Sequence, residues 1–249
     1  MTATAAGQLP DRVASGVTVA ALVAINVGGH LLSPPWWVRA SEGVALLAFA
    51  RVSGLTWAQL GLSRERAASG LRWALGAIGL VATVYVVGVL VPGIRPAFQD
   101  ARYHLALPDA LFRAFVVIPA GTVVLEEIAF RSVLWGMLSR HLRTWQVLGT
   151  TSVLFGLWHI LPSQDLAAAN QAVSGATGSG GVALVVAGTV VFTTLGGLVF
   201  GELRRRSGSV LAAAGAHWAT NALGVLFGLL AWRLAGDPAP SPVATVPLA

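Results

Sequence analysis

The chain has 249 residues, of which 55% are hydrophobic and only 10% charged, and its mean hydropathy is +0.74. A soluble domain carries about 25% charged residues, so this composition excludes an ordinary soluble protein and indicates an integral membrane protein. All 16 basic residues are arginines, and most of them lie at the ends of apolar runs, which does not favour a nucleic-acid partner. The lack of cysteine excludes disulfides, thiolate metal sites and a cysteine nucleophile.

Seven apolar segments follow one another along the chain, and each predicts a membrane-embedded helix in an all-α, polytopic bundle. A spanning helix needs about 20 predominantly apolar residues. The second segment contains Arg51, whose side chain would have to reach toward the membrane surface. The fourth is expected to break near Pro119, and the last is long enough for two short helices, which would make eight spans. The segments lie at about 13–33, 42–60, 73–92, 109–138, 146–161, 182–202 and 209–234.

These segments predict a single membrane domain over residues 1–235, followed by a proline-rich tail, 236–249, that we expect to be disordered. The first segment follows no clear basic region or cleavage site, so we expect a retained helix rather than a signal peptide. With seven spans, ten arginines fall in loops on one side and four on the other. Because positive residues mark the cytoplasmic side, we expect a multi-pass protein of the cell membrane with a cytoplasmic N-terminus.

Six polar side chains lie inside three of these segments, although an ionisable residue costs about 2.5–3.5 kcal/mol at the centre of a membrane helix. Residues four apart on a helix share a face. This spacing allows Glu127 to pair with Arg131, and it allows the ring of Phe155 to support His159. It also places His217 and Asn221 on one helical face. The six are Glu126, Glu127, Arg131, His159, His217 and Asn221.

Glu126 differs from its neighbour, because it lies about 100° around the helix from Glu127 and is not committed to Arg131. Taken singly, each polar residue is more simply structural: a lone histidine is usually a satisfied core residue, and a Glu–Arg pair neutralises itself. Taken together, they supply a carboxylate base, two imidazoles and an amide, which suits water activation and oxyanion stabilisation. We therefore expect these side chains to converge on one water-accessible cavity.

Three motifs in this set resemble those of one protease family. "EEIAFR" (126–131) matches Glu-Glu-x-x-x-Arg, "FGLWH" (155–159) matches Phe-x-x-x-His, and "HWATN" (217–221) matches His-x-x-x-Asn. In this order, they resemble the CAAX prenyl protease 2 family, also called the CPBP or Abi family of intramembrane proteases. The resemblance runs from about residue 109 to 225 and is specific as a set, whereas each motif alone is weak. The "LGL" at 60–62 is a further, weak similarity.

The resemblance implies a glutamate-dependent intramembrane endopeptidase acting on a peptide or protein at the membrane. It implies that Glu126 activates water, that His159 helps to hold this water, and that His217 and Asn221 stabilise the oxyanion. Glu127 and Arg131 would be mainly structural, with Phe155 in support. The segment "FTTLGGLVFG" (192–201) is also similar to the family, and its glycines, Gly197 and Gly201, are typical of close helix packing.

Other chemistries fit the sequence less well. None of the histidines stands in a His-Glu-x-x-His zinc motif, and the Gly-x-Gly-Asp motif of aspartyl intramembrane proteases is absent. The "GATGSGG" stretch (175–181) lies in a polar connection and predicts a flexible linker rather than a serine-protease loop. No cofactor is expected. A divalent metal such as zinc is not excluded, and its ligands would then be Glu126, His159 and His217.

The alternative to an enzyme is a non-catalytic membrane protein on the same scaffold, such as a bacteriocin-immunity-like or sorting factor, or a carrier. The enzyme is favoured because all four presumed catalytic positions are present. A composition rich in Ala, Gly, Val, Leu and Arg without lysine is typical of a GC-rich bacterial genome, in which prenylated proteins are not the expected substrates. The sequence identifies neither the natural substrate nor the oligomeric state.

Overall fold

A computed structural model describes residues 9–237, apart from 165, 171, 174 and 176–180. The end of the predicted tail and most of the predicted linker at 175–181 lie outside this described part. The described residues form helices without a strand, joined by turns and short 3₁₀ helices, so the predicted all-α membrane bundle is confirmed. The longer helices are α1 (Asp11–Leu32), α2 (Trp36–Val52), α3 (Ala67–Leu90), α4 (107–138), α5 (Thr144–Trp158), α6 (Gly181–Ser207) and α7 (Val210–Leu234).

Four helical stretches in the described part of the chain are long and apolar enough to cross a membrane. They are Asp11–Leu32, Arg64–Leu90, Gly181–Ser207 and Val210–Leu234. α2 and α5 are shorter, with 17 and 15 residues, and α4 contains the charged groups of the site. The structure thus contains helices at all seven predicted positions, while the count of seven or eight complete spans stays a prediction.

The second predicted segment, 42–60, has the wrong bounds. α2 begins at Trp36 and ends at Val52, and the chain then turns. Leu55 and Leu60 in this turn are fully buried against the bundle. Their hydrophobicity reflects a buried loop, which composition alone does not distinguish from a helix in lipid. Arg51 stands at the helix end, where its guanidinium donates to the Leu55 carbonyl.

The expected break near Pro119 is absent, because α4 changes its winding instead of ending. Residues Arg113–Val123 and Glu127–Leu134 form wide π-helical turns, and the Val124 N–H donates to the Pro119 carbonyl, five residues back. A proline lacks the N–H that a regular α-helix would need. π-Helical turns are frequent at functional sites, and here they flank Glu126.

Some backbone carbonyl groups in these wide turns accept hydrogen bonds from side chains of neighbouring helices. Trp218 Nε1 donates to the Ala114 carbonyl at 2.9 Å, and Tyr85 Oη donates to the Thr220 carbonyl at 2.8 Å. Arg204 Nε donates to the Arg131 carbonyl at 3.2 Å. Polar backbone groups inside a membrane protein require such partners. These contacts therefore hold α4 and the π-helical residues Ala219–Leu223 of α7 in place.

α5 and α6 pack closely, as their small residues predict. A Cβ atom at Gly197 would lie 2.9 Å from the Ser152 Cα atom, which is closer than two such atoms can approach. A Cβ atom at Gly201 or at Gly156 would also be too close to its neighbours. The absence of side chains therefore allows the two backbones to approach, which is the usual role of glycine between membrane helices. This packing sets the position of His159 relative to α6.

Candidate active site

The four residues predicted to be catalytic meet between α4, α5 and α7. Glu126 Oε2 lies 4.0 Å from His159 Nε2 and 3.7 Å from His217 Nε2. Asn221 Nδ2 lies 3.2 Å from the same His217 Nε2 atom. These residues are up to 95 positions apart in the sequence, so only the packing of the three helices brings them together.

Glu126 has one oxygen fixed and one oxygen free. Its Oε1 atom accepts a hydrogen bond from Trp158 Nε1 at 3.0 Å, whereas its buried Oε2 atom has no hydrogen-bond partner in the described part of the chain. A buried polar atom without a partner calls for an explanation. Because Oε2 faces both histidines, the geometry favours a direct role for this oxygen atom in the reaction.

Trp158 is held in turn by the two N-terminal helices. Its backbone carbonyl accepts a hydrogen bond from Asn26 Nδ2 at 3.0 Å, and the Arg39 guanidinium lies 6.0 Å from the indole centroid. Trp158 was not predicted as a site residue, although it directly precedes His159 in the "FGLWH" motif. Its indole N–H distinguishes it from an ordinary core aromatic residue.

His159 ends α5, and its ring is oriented by that helix. Its Nδ1 atom lies 2.7 Å from the Phe155 carbonyl oxygen, which only accepts, so Nδ1 carries the proton. Nε2 of the neutral ring is then an acceptor that points toward Glu126. The Phe155 ring meets the imidazole edge to face at 4.7 Å, as the spacing predicts. The side chain of His159 is 21% exposed, which makes it the more accessible of the two histidines.

Glu127 connects two partners rather than one. Its Oε1 atom accepts from Arg131 Nη1 at 3.1 Å, which confirms the predicted pair, and also from His217 Nδ1 at 2.8 Å. All three side chains are buried. The second contact fixes the proton of His217 on Nδ1, because a carboxylate only accepts. Glu127 therefore orients His217 in addition to neutralising Arg131.

Aromatic rings enclose the charged groups. The Arg131 guanidinium lies 3.9 Å from the Phe155 centroid and 5.1 Å from the Phe200 centroid, within cation–π range. Phe200 also stacks on the His217 ring at 5.1 Å with an interplanar angle of 23°. Phe200 was missed at the sequence level, because a phenylalanine in an apolar helix carries no signal that separates it from lipid-facing residues.

The alternative metal ligands are Glu126, His159 and His217. Tetrahedral ligands of one zinc ion, each about 2.0–2.2 Å from it, lie about 3.3–3.6 Å apart. The separations of 3.7 and 4.0 Å from Glu126 Oε2 are larger. No group of three or more His, Asp or Glu side chains in the described residues is arranged to hold a metal ion. The absence of a metal requirement stays a prediction, and no chemical step below uses one.

Residues 108–223 match the family model described as "Type II CAAX prenyl endopeptidase Rce1-like". The matched stretch contains all six polar residues of the candidate site, and α1, α2 and α3 precede it. No curated protein and no solved structure matches the chain.

Proposed function

Because residues 108–223 of this chain belong to the Rce1-like family of type II CAAX prenyl endopeptidases, we propose that the protein is an active intramembrane endopeptidase. It hydrolyses a peptide bond of a membrane-associated protein or peptide. The observation that carries the proposal is the unpartnered Oε2 atom of Glu126, with the Nε2 atoms of two histidines within 4.0 Å.

The first step is the activation of water. A water molecule between Glu126 Oε2 and neutral His159 Nε2, which are 4.0 Å apart, donates one hydrogen bond to each. Glu126 takes one proton as general base while the water oxygen attacks the carbonyl carbon of the substrate. Trp158 keeps the other carboxylate oxygen in place, so the basic oxygen stays directed toward the water.

The second step stabilises the oxyanion that forms. Asn221 Nδ2 is one donor, and His217 Nε2 becomes a second donor when the ring is an imidazolium, since Nδ1 already donates to Glu127. Donors directed at a developing oxyanion contribute about 2.7–4 kcal/mol each to lowering the barrier. The tetrahedral species then collapses, the C–N bond breaks, and the proton on Glu126 passes to the leaving amine.

The proposal also includes the orientation of the protein in the membrane. The protein lies in the cell membrane with a cytoplasmic N-terminus, and its substrate reaches the site from the membrane. Ten loop arginines against four support this orientation under seven spans. Reporter fusions at residues 1 and 249 would measure the sides of the two termini.

The experiment that tests the function compares membrane proteins from cells that contain the natural protein with those from cells that contain Glu126→Ala. The proposal predicts uncleaved forms that accumulate only with the variant. The control is Glu65→Ala, which removes an exposed carboxylate outside the site. Identical protein patterns in all three strains would instead favour a non-catalytic member of the family.

Trp158→Phe is expected to lower kcat about 10- to 100-fold with little change in KM. Phenylalanine keeps an aromatic ring but cannot donate to Glu126, and a hydrogen bond to a charged group contributes about 1.5–3 kcal/mol. The measurement is steady-state cleavage of the substrate identified above. Trp145→Phe is the matched control, because Trp145 lies on the same helix and is 68% exposed. An equal effect of both variants would contradict a positioning role for Trp158.

Glu127→Gln is expected to lower the kcat per folded molecule as well as the thermal stability. Glutamine keeps the size of the side chain but loses the carboxylate charge that holds the Nδ1–H group of His217. If Glu127 served only to neutralise Arg131, stability would fall and the rate per folded molecule would not. Thermal unfolding in detergent and kcat per folded molecule, measured on one preparation, separate the two roles.

A further inference from the structure

The membrane-facing side of α3 and α6 carries a continuous apolar groove. Two adjoining hollows of about 470 and 410 Å³ share Trp73, Val199 and Leu203 in their walls. α3 and α6 lie in two of the four stretches able to cross a membrane, and only 17% and 11% of their most apolar windows are buried. The groove therefore opens toward the lipid, and Leu148 of α5 and Ala216 and Thr220 of α7 also contribute to its walls.

One end of this groove is basic. Arg72 lines the larger hollow and Arg206 lines the smaller one. Arg72 is exposed and has no hydrogen bond or ion pair in the described part of the chain, while Arg206 pairs with Glu202, which also pairs with Arg205. The three arginines and one glutamate leave this end with a net positive charge.

The groove and its basic end match the two parts of an anionic phospholipid. Guanidinium groups bind phosphate through several hydrogen bonds, and tryptophan is enriched at the level of lipid head groups, where Trp73 adjoins both arginines. From Arg72 to Val81, both in the wall of the larger hollow, α3 rises about 13.5 Å. An extended acyl chain covers that distance with about ten methylene groups.

We propose that this groove is a binding site for an anionic phospholipid, with the phosphate on Arg72 and Arg206 and one acyl chain along α3. The chain would pass Gly76 and contact Phe200, which lines the larger hollow. Phe200 stacks on His217, so the bound lipid would adjoin the candidate active site. Binding itself does not depend on the proposed protease activity.

Gly76→Leu tests the site by filling it. A Cβ atom at Gly76 would meet no heavy atom within 4 Å, and the same holds for Gly79 on the same helix. Only Gly76 lines the groove, so Gly79→Leu is the matched control. Both substitutions replace a glycine inside an exposed helix, where leucine favours helix formation. We expect both variants to fold, with size-exclusion chromatography and circular dichroism as checks.

The measurement is native mass spectrometry of the full chain in detergent, with phosphatidylglycerol or phosphatidylcholine of equal chain length added. The natural protein and Gly79→Leu are expected to bind phosphatidylglycerol about 10-fold more tightly than phosphatidylcholine. Gly76→Leu should lose at least 10-fold in affinity for both lipids. Arg72→Gln combined with Arg206→Gln should lose the preference for phosphatidylglycerol while keeping the affinity for phosphatidylcholine.

Three results would overturn the proposal. They are equal binding of the two lipids by the natural protein, equal behaviour of the two glycine variants, and full competition by glycerophosphoglycerol, the head group without chains. The last result would mean that phosphate alone is recognised. If Gly76→Leu fails to fold, the arginine variant decides the question, because an unchanged lipid preference there also contradicts the site.

Discussion

Glu126→Gln is expected to lower the rate of peptide-bond hydrolysis by about 10²–10⁴-fold, the usual contribution of a positioned general base. Glutamine fills the same space and keeps an oxygen for the Trp158 N–H, but it cannot take a proton from water. His159→Ala should lose a comparable factor, because it removes the second acceptor for that water, 4.0 Å from Glu126. The measurement is single-turnover cleavage of the substrate found by the membrane-protein comparison.

The control for this prediction is Glu65→Gln, which changes an exposed carboxylate in the 3₁₀ helix Arg64–Arg66 that precedes α3. All variants should elute as single species in detergent, so a loss of rate cannot be assigned to misfolding. Full activity of Glu126→Gln would rule out Glu126 as the base. Activity restored by added zinc in a chelated preparation would instead point to the metal alternative, with Glu126, His159 and His217 as ligands.

Arg131→Ala is expected to cost about 3–5 kcal/mol of stability, because it leaves the Glu127 carboxylate buried without its arginine. Both side chains are only 2% exposed, and their atoms lie 3.1 Å apart. The substitution also removes the cation–π contacts with Phe155 and Phe200. The readouts are the yield of folded protein and the midpoint of thermal unfolding in detergent.

Arg205→Ala is the matched control, since it also breaks an arginine–glutamate pair. That pair, with Glu202, lies at the exposed end of α6, where solvent screens the interaction. Its loss should leave the unfolding midpoint almost unchanged. A stable and well-expressed but inactive Arg131→Ala protein would contradict the structural role and would place Arg131 among the residues that act on the substrate.

The sequence alone determined most of the helices and which residues of one helix lie on the same face. The apolar runs predict helices at 13–33, 73–92, 182–202 and 209–234, and the structure has helices there with slightly different ends. Uninterrupted apolar runs of this length have few alternatives to a helix in a membrane. The four-residue spacings also determined that Glu127 faces Arg131, because these neighbours lie on one turn of one helix.

Only the tertiary structure decided which groups meet across helices. Trp158 reaches Glu126 over 32 positions and His217 reaches Glu127 over 90, and no local periodicity encodes either contact. The sequence also does not reveal the buried turn after α2, because its leucines are as hydrophobic as those of a membrane span. These contacts depend on how closely the backbones approach and how α4 widens around Pro119. Such features arise from packing between distant segments, so no single stretch of sequence contains them.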